Sequence, residues 1–308
     1  MIKGNLLVVG GAGFIGKNLS IKSLQKGYST TVISLNKVDF DKRILGVNYI
    51  QVDINNIGEL RQKLSNKFFH YVINLSGYVD HSSYLYGGVN VINTHFGGLQ
   101  NLLQVLDWSI LKRFVQIGSS DEYGSLPAPQ NENMRESPIS PYSFGKVAST
   151  NLLQMLYRTE KLPVVILRLF LVYGERQNNE RFFPQVIKNC LLDKNFPTSQ
   201  GKQLRDFSHV DDITNGILKT LDINKVNGEI INLASGVSIS IIDVIKLIQK
   251  LIGSGKPDFG KISYREGENM ELFADISKAK KLLRWSPKIG LDEGIKKTIN
   301  HFRSNKWN

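Results

Sequence analysis

The chain has 308 residues, enough for one large domain with an attached lobe. Hydrophobic residues at 41% and charged residues at 21% exclude a disordered chain, and no apolar run is long enough to span a bilayer. The formal net charge is +12, but the lysines are scattered, with no arginine-rich tract and no interleaved aromatic platform. No nucleic-acid partner is expected, and a basic surface suits an anionic small ligand instead.

Leu6-Leu7-Val8-Val9 is a short apolar run ending in glycines, the pattern of a buried first strand. Helical spacing follows from Phe14 to Lys26 and stops at Gly27. Further strands are expected at 30–35, 47–52, 71–75, 113–117 and 164–168, with helices between them, among them 98–108 and 143–159. Strands alternating with helices predict an α/β, Rossmann-type doubly wound parallel sheet over residues 1–174, with a return segment near 205–234. After Tyr173-Gly174 the rhythm changes to short helices, loops and one late strand, so 175–308 is expected to form mainly a smaller C-terminal substrate-binding lobe. Cys190 is the only cysteine, which rules out an intrachain disulfide. With no leader-like segment before the first strand, a cytoplasmic protein is expected.

Gly10-x-x-Gly13-x-x-Gly16 lies between the first strand and the first helix. Glycines there permit a tight turn and a close approach of backbone to a pyrophosphate, while the helix start offers N–H groups to the anion. Asp53, after the third strand, is placed for an adenine amino group or for capping the next helix. The second strand ends in Ser34-Leu35-Asn36-Lys37, with no acid before Asp39 to read a ribose hydroxyl. Lys37, Lys42 and Arg43 can neutralise a 2′-phosphate, so NADP is favoured over NAD. No metal is called for.

Tyr142 and Lys146 are one helical turn apart, on one face. A nearby ammonium favours phenolate and is expected to lower the tyrosine pKa. Such a tyrosine passes a proton to or from a sugar hydroxyl while hydride moves to or from a nicotinamide.

The chain resembles the extended short-chain dehydrogenase/reductase family that acts on nucleotide sugars. The resemblance rests on Gly10 to Gly16, Asn74-Leu75-Ser76-Gly77, the turn from Gly118 to Gly124, and Tyr142-x-x-x-Lys146. It extends to Leu167 to Gly174, Arg205-Asp206-Phe207-x-His209-Val210-x-Asp212, and Ala274 to Ala279. It implies Tyr142 as acid/base, Lys146 on the nicotinamide ribose and Ser119 on the reacting oxygen. It implies further cofactor contacts from Phe14, Ile15, Ser34, Asn36, Ile54, Leu75, Ser76, Gly77, Phe170 and Val172. His95 stands where the family has asparagine below the cofactor, or is a satisfied buried histidine. Arg205 and Arg265 are the diphosphate candidates and Glu268 the nucleotide-ribose candidate, with surface ion pairing as the plainer alternative. Asp80, His81, Ser120, Asp121 and Glu122 are the candidates for the hexose. A homodimer through helices 98–108 and 143–159 is also implied.

The turn at 119–124 bears on the reaction. The resemblance implies an adjacent acid and base for elimination in the 4,6-dehydratases, but here Ser120 takes the aspartate place and Asp121 the glutamate place. This pattern is similar to that of C4 reductases acting on 4-keto-6-deoxyhexoses in surface-polysaccharide synthesis. 4-Epimerase, 4,6-dehydratase and 4-dehydrogenase remain as alternatives. A dinucleotide-binding sensor is the alternative of another class, opposed by the joint presence of Ser119, Tyr142 and Lys146.

Overall fold

The structure, a computed structural model, describes residues 3–264 and 267–304. The first half alternates as expected: β1 (Gly4–Val9), α1 (Phe14–Gln25), β2 (Tyr28–Ser34), β3 (Asn48–Gln51), α2 (Ile57–Leu64), β4 (Tyr71–Asn74), α3 (Gly88–Ile92), α4 (Gly98–Val105), β5 (Arg113–Ser119), α5 (Pro141–Glu160) and β6 (Val164–Leu169). The second half supplies β7 (Leu171–Tyr173), α6 (Phe182–Leu191), β8 (Asn195–Thr198), β9 (Leu204–His209), α7 (Val210–Lys219), β10 (Glu229–Leu233), β11 (Ser238–Ser240), α8 (Ile241–Ile252), β12 (Lys256–Phe259), β13 (Glu271–Leu272), α9 (Ser277–Leu283) and α10 (Leu291–Ser304).

Seven strands form one sheet in the order β3-β2-β1-β4-β5-β6-β10, all parallel. Both faces are covered, which is why the β1 run is apolar throughout and Leu6, Leu7, Val8 and Val9 are all inaccessible to solvent. One face packs on α1 and α7 through a core that includes Leu19, Val32, Ile213 and Ile217. The other packs on α4 and α5 through Leu99, Leu102, Phe114 and Leu153, with Leu152, Leu156 and Tyr157 turned toward this core as well. The order reverses between β1 and β4, so a crevice opens at the carboxyl ends of these strands.

A second, smaller sheet is centred on β9, which pairs with β11, β13 and β7. A separate apolar cluster around Phe183, Ile187, Phe207, Ile245 and Ile299 lies between α6, α8 and α10. Gln130 ties the two regions together. Fully buried, it donates its side-chain N–H to the carbonyls of Leu126 and Glu271 (both 3.0 Å) and accepts from Phe273 N (3.0 Å).

The helix expected through Trp108 ends at Val105, where Leu106 turns extended and the Trp108 indole donates to Leu103 O (2.9 Å). Ahead of α4, residues Asn93–Gly97 form a π-helical turn. Such turns recur at functional sites. Among the described residues, no helix is long and apolar enough to cross a membrane.

Candidate active site

Gly10 and Gly11 donate to Ile33 O (2.9 and 3.3 Å), bending the chain off β1 toward β2. Gly10 has φ +75°, and a Cβ there would lie 2.9 Å from the Leu75 carbonyl carbon, so the turn admits no other residue without strain. At the start of α1, Gly13 provides no side-chain cap and the first turn carries no acid, leaving its N–H groups free to meet an anion. This bare cradle fits a dinucleotide pyrophosphate. From it a cleft of about 2110 Å³ runs between the main sheet and the smaller one.

Gly10, Gly13, Phe14, Ile15, Gly16, Ser34, Asn36, Lys37, Asp53, Ile54, Leu75, Ser76, Gly77, Phe170 and Val172 all line this cleft. Ser34 shapes the turn after β2 by donating to Asn36 O (2.8 Å). Of the three cations weighed for a 2′-phosphate, Lys42 is paired with Asp39 (2.8 Å). Arg43 donates to Val38 O (3.0 Å) and stacks over Tyr49, off the cleft wall, whereas Lys37 and the Lys42–Asp39 pair line it. Asp53 does not cap α2. Its carboxylate accepts from Asn55 N (2.9 Å), and Asn56 is the cap, accepting from Glu59 N (3.1 Å).

Ser140 and Pro141 start α5, the serine accepting from Ser143 N (3.1 Å). That start puts Tyr142 in the first turn and Lys146 in the second, both buried and both on the cleft wall. The expected acidification of the phenol is not what this geometry produces. Lys146 Nζ donates to Ile117 O (2.8 Å) and lies 5.8 Å from the centre of the Tyr142 ring. Burial raises the Tyr142 pKa above its ordinary value, and the negative charge of Asp121 adds to the rise; a hydrogen bond with Ser119 works the other way. Burial lowers Lys146 to about 8.

Ser119 ends β5 and caps the short turn 120–123, its Oγ accepting from Asp121 N (3.1 Å). The two acids that follow part company. Asp121 lines the cleft, and burial raises its pKa. Glu122 does not reach the cleft, contrary to its expected contact with the hexose. Fully buried, it accepts from Ser119 N (2.9 Å), Thr150 Oγ1 (2.9 Å) and Arg168 Nε (3.0 Å). Residues 120–123 form a 3₁₀ turn, in which successive side chains lie about 120° apart, so one carboxylate faces the site while the next clamps its frame. Asp80 is likewise off the cleft wall. It accepts from the backbone and hydroxyl of Ser82 (2.7 and 2.5 Å), shaping its own loop.

His81 and Ser120 line the cleft, and His81 Nε2 stands 3.8 Å from Asp121 Oδ2. His95, on the π turn, is both buried and cleft-lining. Its Nε2 is 3.0 Å from Tyr78 O, and its ring meets Tyr142 edge-on at 5.1 Å between centres. Burial and the Lys146 charge push its pKa down to about 3, so it is a neutral imidazole. At the far end, Arg205 and Glu268 both line the cleft and form an ion pair with each other. Arg265 lies outside the described residues. Sequence reading missed Arg181, which sits at the N-cap position of α6 without a capping side-chain bond and lines the cleft. It also missed the clamp around Glu122, whose signal was a charged residue, Arg168, inside an otherwise apolar strand.

The profile of the NAD dependent epimerase/dehydratase family matches residues 6–234. Among curated proteins, the chain is 29% identical to the UDP-glucuronate 4-epimerase of Thermodesulfobacterium geofontis, over 98% of this chain and 97% of that one. It is 27% identical to the dTDP-glucose 4,6-dehydratase of Haemophilus influenzae, over 98% of each. Among solved structures, the UDP-glucuronic acid 4-epimerase from Bacillus cereus, in complex with UDP-glucuronic acid and NAD, superimposes with a TM-score of 0.84 at 28% identity. That match covers 97% of this chain and 99% of the other.

Proposed function

The chain belongs to the NAD dependent epimerase/dehydratase family, and from that premise we propose that it is a nucleotide-sugar 4-epimerase using NAD. Bound against the glycine turn, the dinucleotide supplies a hydride acceptor and donor. Acting as the phenolate, which the Lys146 ammonium favours and burial opposes, Tyr142 takes the proton from the C4 hydroxyl and returns it after the 4-keto sugar has turned over. Ser119 Oγ hydrogen-bonds the same oxygen. Lys146 holds positive charge beneath the phenol, and Arg205 faces the substrate diphosphate.

The observation that carries this reading is the splitting of the acids. Tyr142, Ser119 and Asp121 face one cleft, while Glu122 is locked against Arg168. Elimination across C5 and C6 needs both an acid and a base beside the sugar, and the turn offers one carboxylate. The same turn also suits net C4 reduction. Likeness to 4-epimerases across nearly the whole chain favours epimerisation over that expectation. NAD is preferred to NADP because the similar Bacillus cereus 4-epimerase is in complex with NAD, and the pairing of Lys42 with Asp39 weakens the case for a 2′-phosphate. A homodimer is also proposed, through the outward residues Phe144 and Met155 of α5, since Leu152, Leu156 and Tyr157 face the sheet.

The test is incubation of the purified protein with UDP-glucose, UDP-glucuronic acid or dTDP-glucose and a trace of NAD, with products separated by anion exchange. C4 epimers with no net change in nicotinamide absorbance are expected. Loss of water from the hexose, or NAD(P)H consumption confined to a parallel incubation with 4-keto sugars, would overturn the reading.

A further inference from the structure

His95 sits where three parts of the site meet. It is the middle residue of the π turn Asn93–Gly97, it is 4% exposed, and its ring lines the cleft. A π turn is rare, and it persists where its surroundings enforce it. Here they are the chain after β4 and the first turns of α5. Gly77, with φ +100°, lies against the imidazole, and a Cβ there would be 2.0 Å from His95 Cε1. On the α5 side, a Cβ on Gly145 would come within 3.1 Å of His95 Cβ, and Ser149 Oγ donates to His95 O (3.1 Å). The Tyr142 ring meets the imidazole edge-on.

A buried histidine satisfied by one carbonyl is more often a plain core residue. This one differs in what it holds. Tyr78 O, 3.0 Å from Nε2, accepts and cannot donate, so Nε2 carries the proton. Among the described residues, this is the only hydrogen bond made by the backbone from Gly77 to His81. That strap is part of the cleft wall: Gly77, Tyr78, Val79 and His81 all line it, directly after Leu75 and Ser76. One donor therefore anchors a segment that edges both the dinucleotide cradle and the space in front of Tyr142.

We propose that His95 is a positioning residue for the reaction: its Nε2–H ties the 77–81 strap to α5 and so fixes the distance between the dinucleotide wall and the Tyr142 phenol. The inference rests on the proposed function for the role of Tyr142 as acid and base. Hydride and proton must leave one carbon together, so a small drift of this wall misaligns the two acceptors. The imidazole is suited to the task because it is neutral at working pH, which keeps the donor in place beside the Lys146 ammonium without adding like charge.

The experiment compares wild type, His95→Gln and His95→Met. The two replacements have unbranched side chains of equal length, and glutamine donates to a carbonyl whereas methionine does not. Three quantities are read: the dissociation constant of NAD by fluorescence titration, the rate of chymotryptic cleavage after Tyr78 by mass spectrometry, and kcat and KM with UDP-glucose. His95→Met is expected to weaken NAD binding about tenfold, to speed cleavage after Tyr78, and to lower kcat by about 10- to 100-fold with a smaller change in KM. His95→Gln is expected to bring each value back to within about threefold of the wild type. Values for His95→Met within about twofold of the wild type, or a glutamine variant no better than the methionine one, overturn the inference. A His95→Met chain that does not fold overturns it too, because the bond would then hold the fold rather than the site. NAD affinity and cleavage do not depend on the sugar chemistry, so their expected shifts in a protein that inverts no C4 support the strap's anchoring and sink the epimerase reading alone.

Discussion

At the residue scale the chemistry depends on two buried groups whose titration is set chiefly by desolvation. Burial raises the pKa of Tyr142, whose ring is enclosed by His81 on one side and His95 on the other. Tyr142→Phe should lower turnover by about 10² to 10⁴ while leaving dinucleotide affinity within a few-fold, checked by steady-state assay and fluorescence titration. A dinucleotide sensor would keep its response. Lys146 carries a cost. Its pKa falls from 10.5 to about 8, so below pH 8 the folded chain bears the full penalty of a buried ammonium, at most about 3 kcal/mol. Between pH 8 and 10.5 the unfolded chain binds a proton that the folded one has lost, so stability contributed at this site rises with pH. Lys146→Met should therefore stabilise the protein at pH 7 by about 1–2 kcal/mol, after the lost hydrogen bond to Ile117 is counted, and abolish activity. Denaturant melts at pH 7 and pH 10 should show that advantage shrinking at the higher pH. The spacing of Tyr142 and Lys146 was legible in the sequence because a helix fixes it. The direction of the tyrosine shift was not, because it depends on enclosure by Asp121 and the buried wall, which are distant in the chain.

At the element scale, β5, α5 and β6 converge on one carboxylate. Glu122 takes hydrogen bonds from all three, through Ser119, Thr150 and Arg168, and Glu136 holds the other side of the arginine (2.5 Å). Glu122→Ala should cost about 3 kcal/mol, toward the low end for a broken buried pair because Glu136 remains. The proposed active turn would lose its frame as well, so the variant's residual activity should fall even where circular dichroism shows it folded. The loop after β2 supplies a separate test. Asp39→Asn releases Lys42 and should raise affinity for NADP relative to NAD by a few-fold; an unchanged ratio would mean that Lys42 does not reach the adenosine ribose. Strand and helix identities were readable from period and punctuation throughout the first 170 residues. Element ends were less so. The indole of Trp108 stops α4 early by bonding a carbonyl, and Asn56 rather than Asp53 caps α2. Each end turns on which of two neighbouring polar side chains reaches the backbone first, a choice that composition does not encode.

At the scale of the whole molecule, the glycine cradle and the Tyr142 helix belong to the parallel sheet, while Arg205 and Glu268 come from the second half of the chain. The parallel sheet announced itself through runs buried on both faces. The small sheet around β9 did not, since its strands are short and gather partners from four separated stretches. Gln130 is the rivet between the two. It fastens the segment that follows the Ser119 turn to β13 and Phe273, close in sequence to Glu268. The far end of the polypeptide is thus part of the machinery's alignment rather than an appendage to it. Gln130→Ala removes all three ties and should raise the KM for the sugar nucleotide while leaving dinucleotide affinity within a few-fold, read by steady-state assay and fluorescence titration.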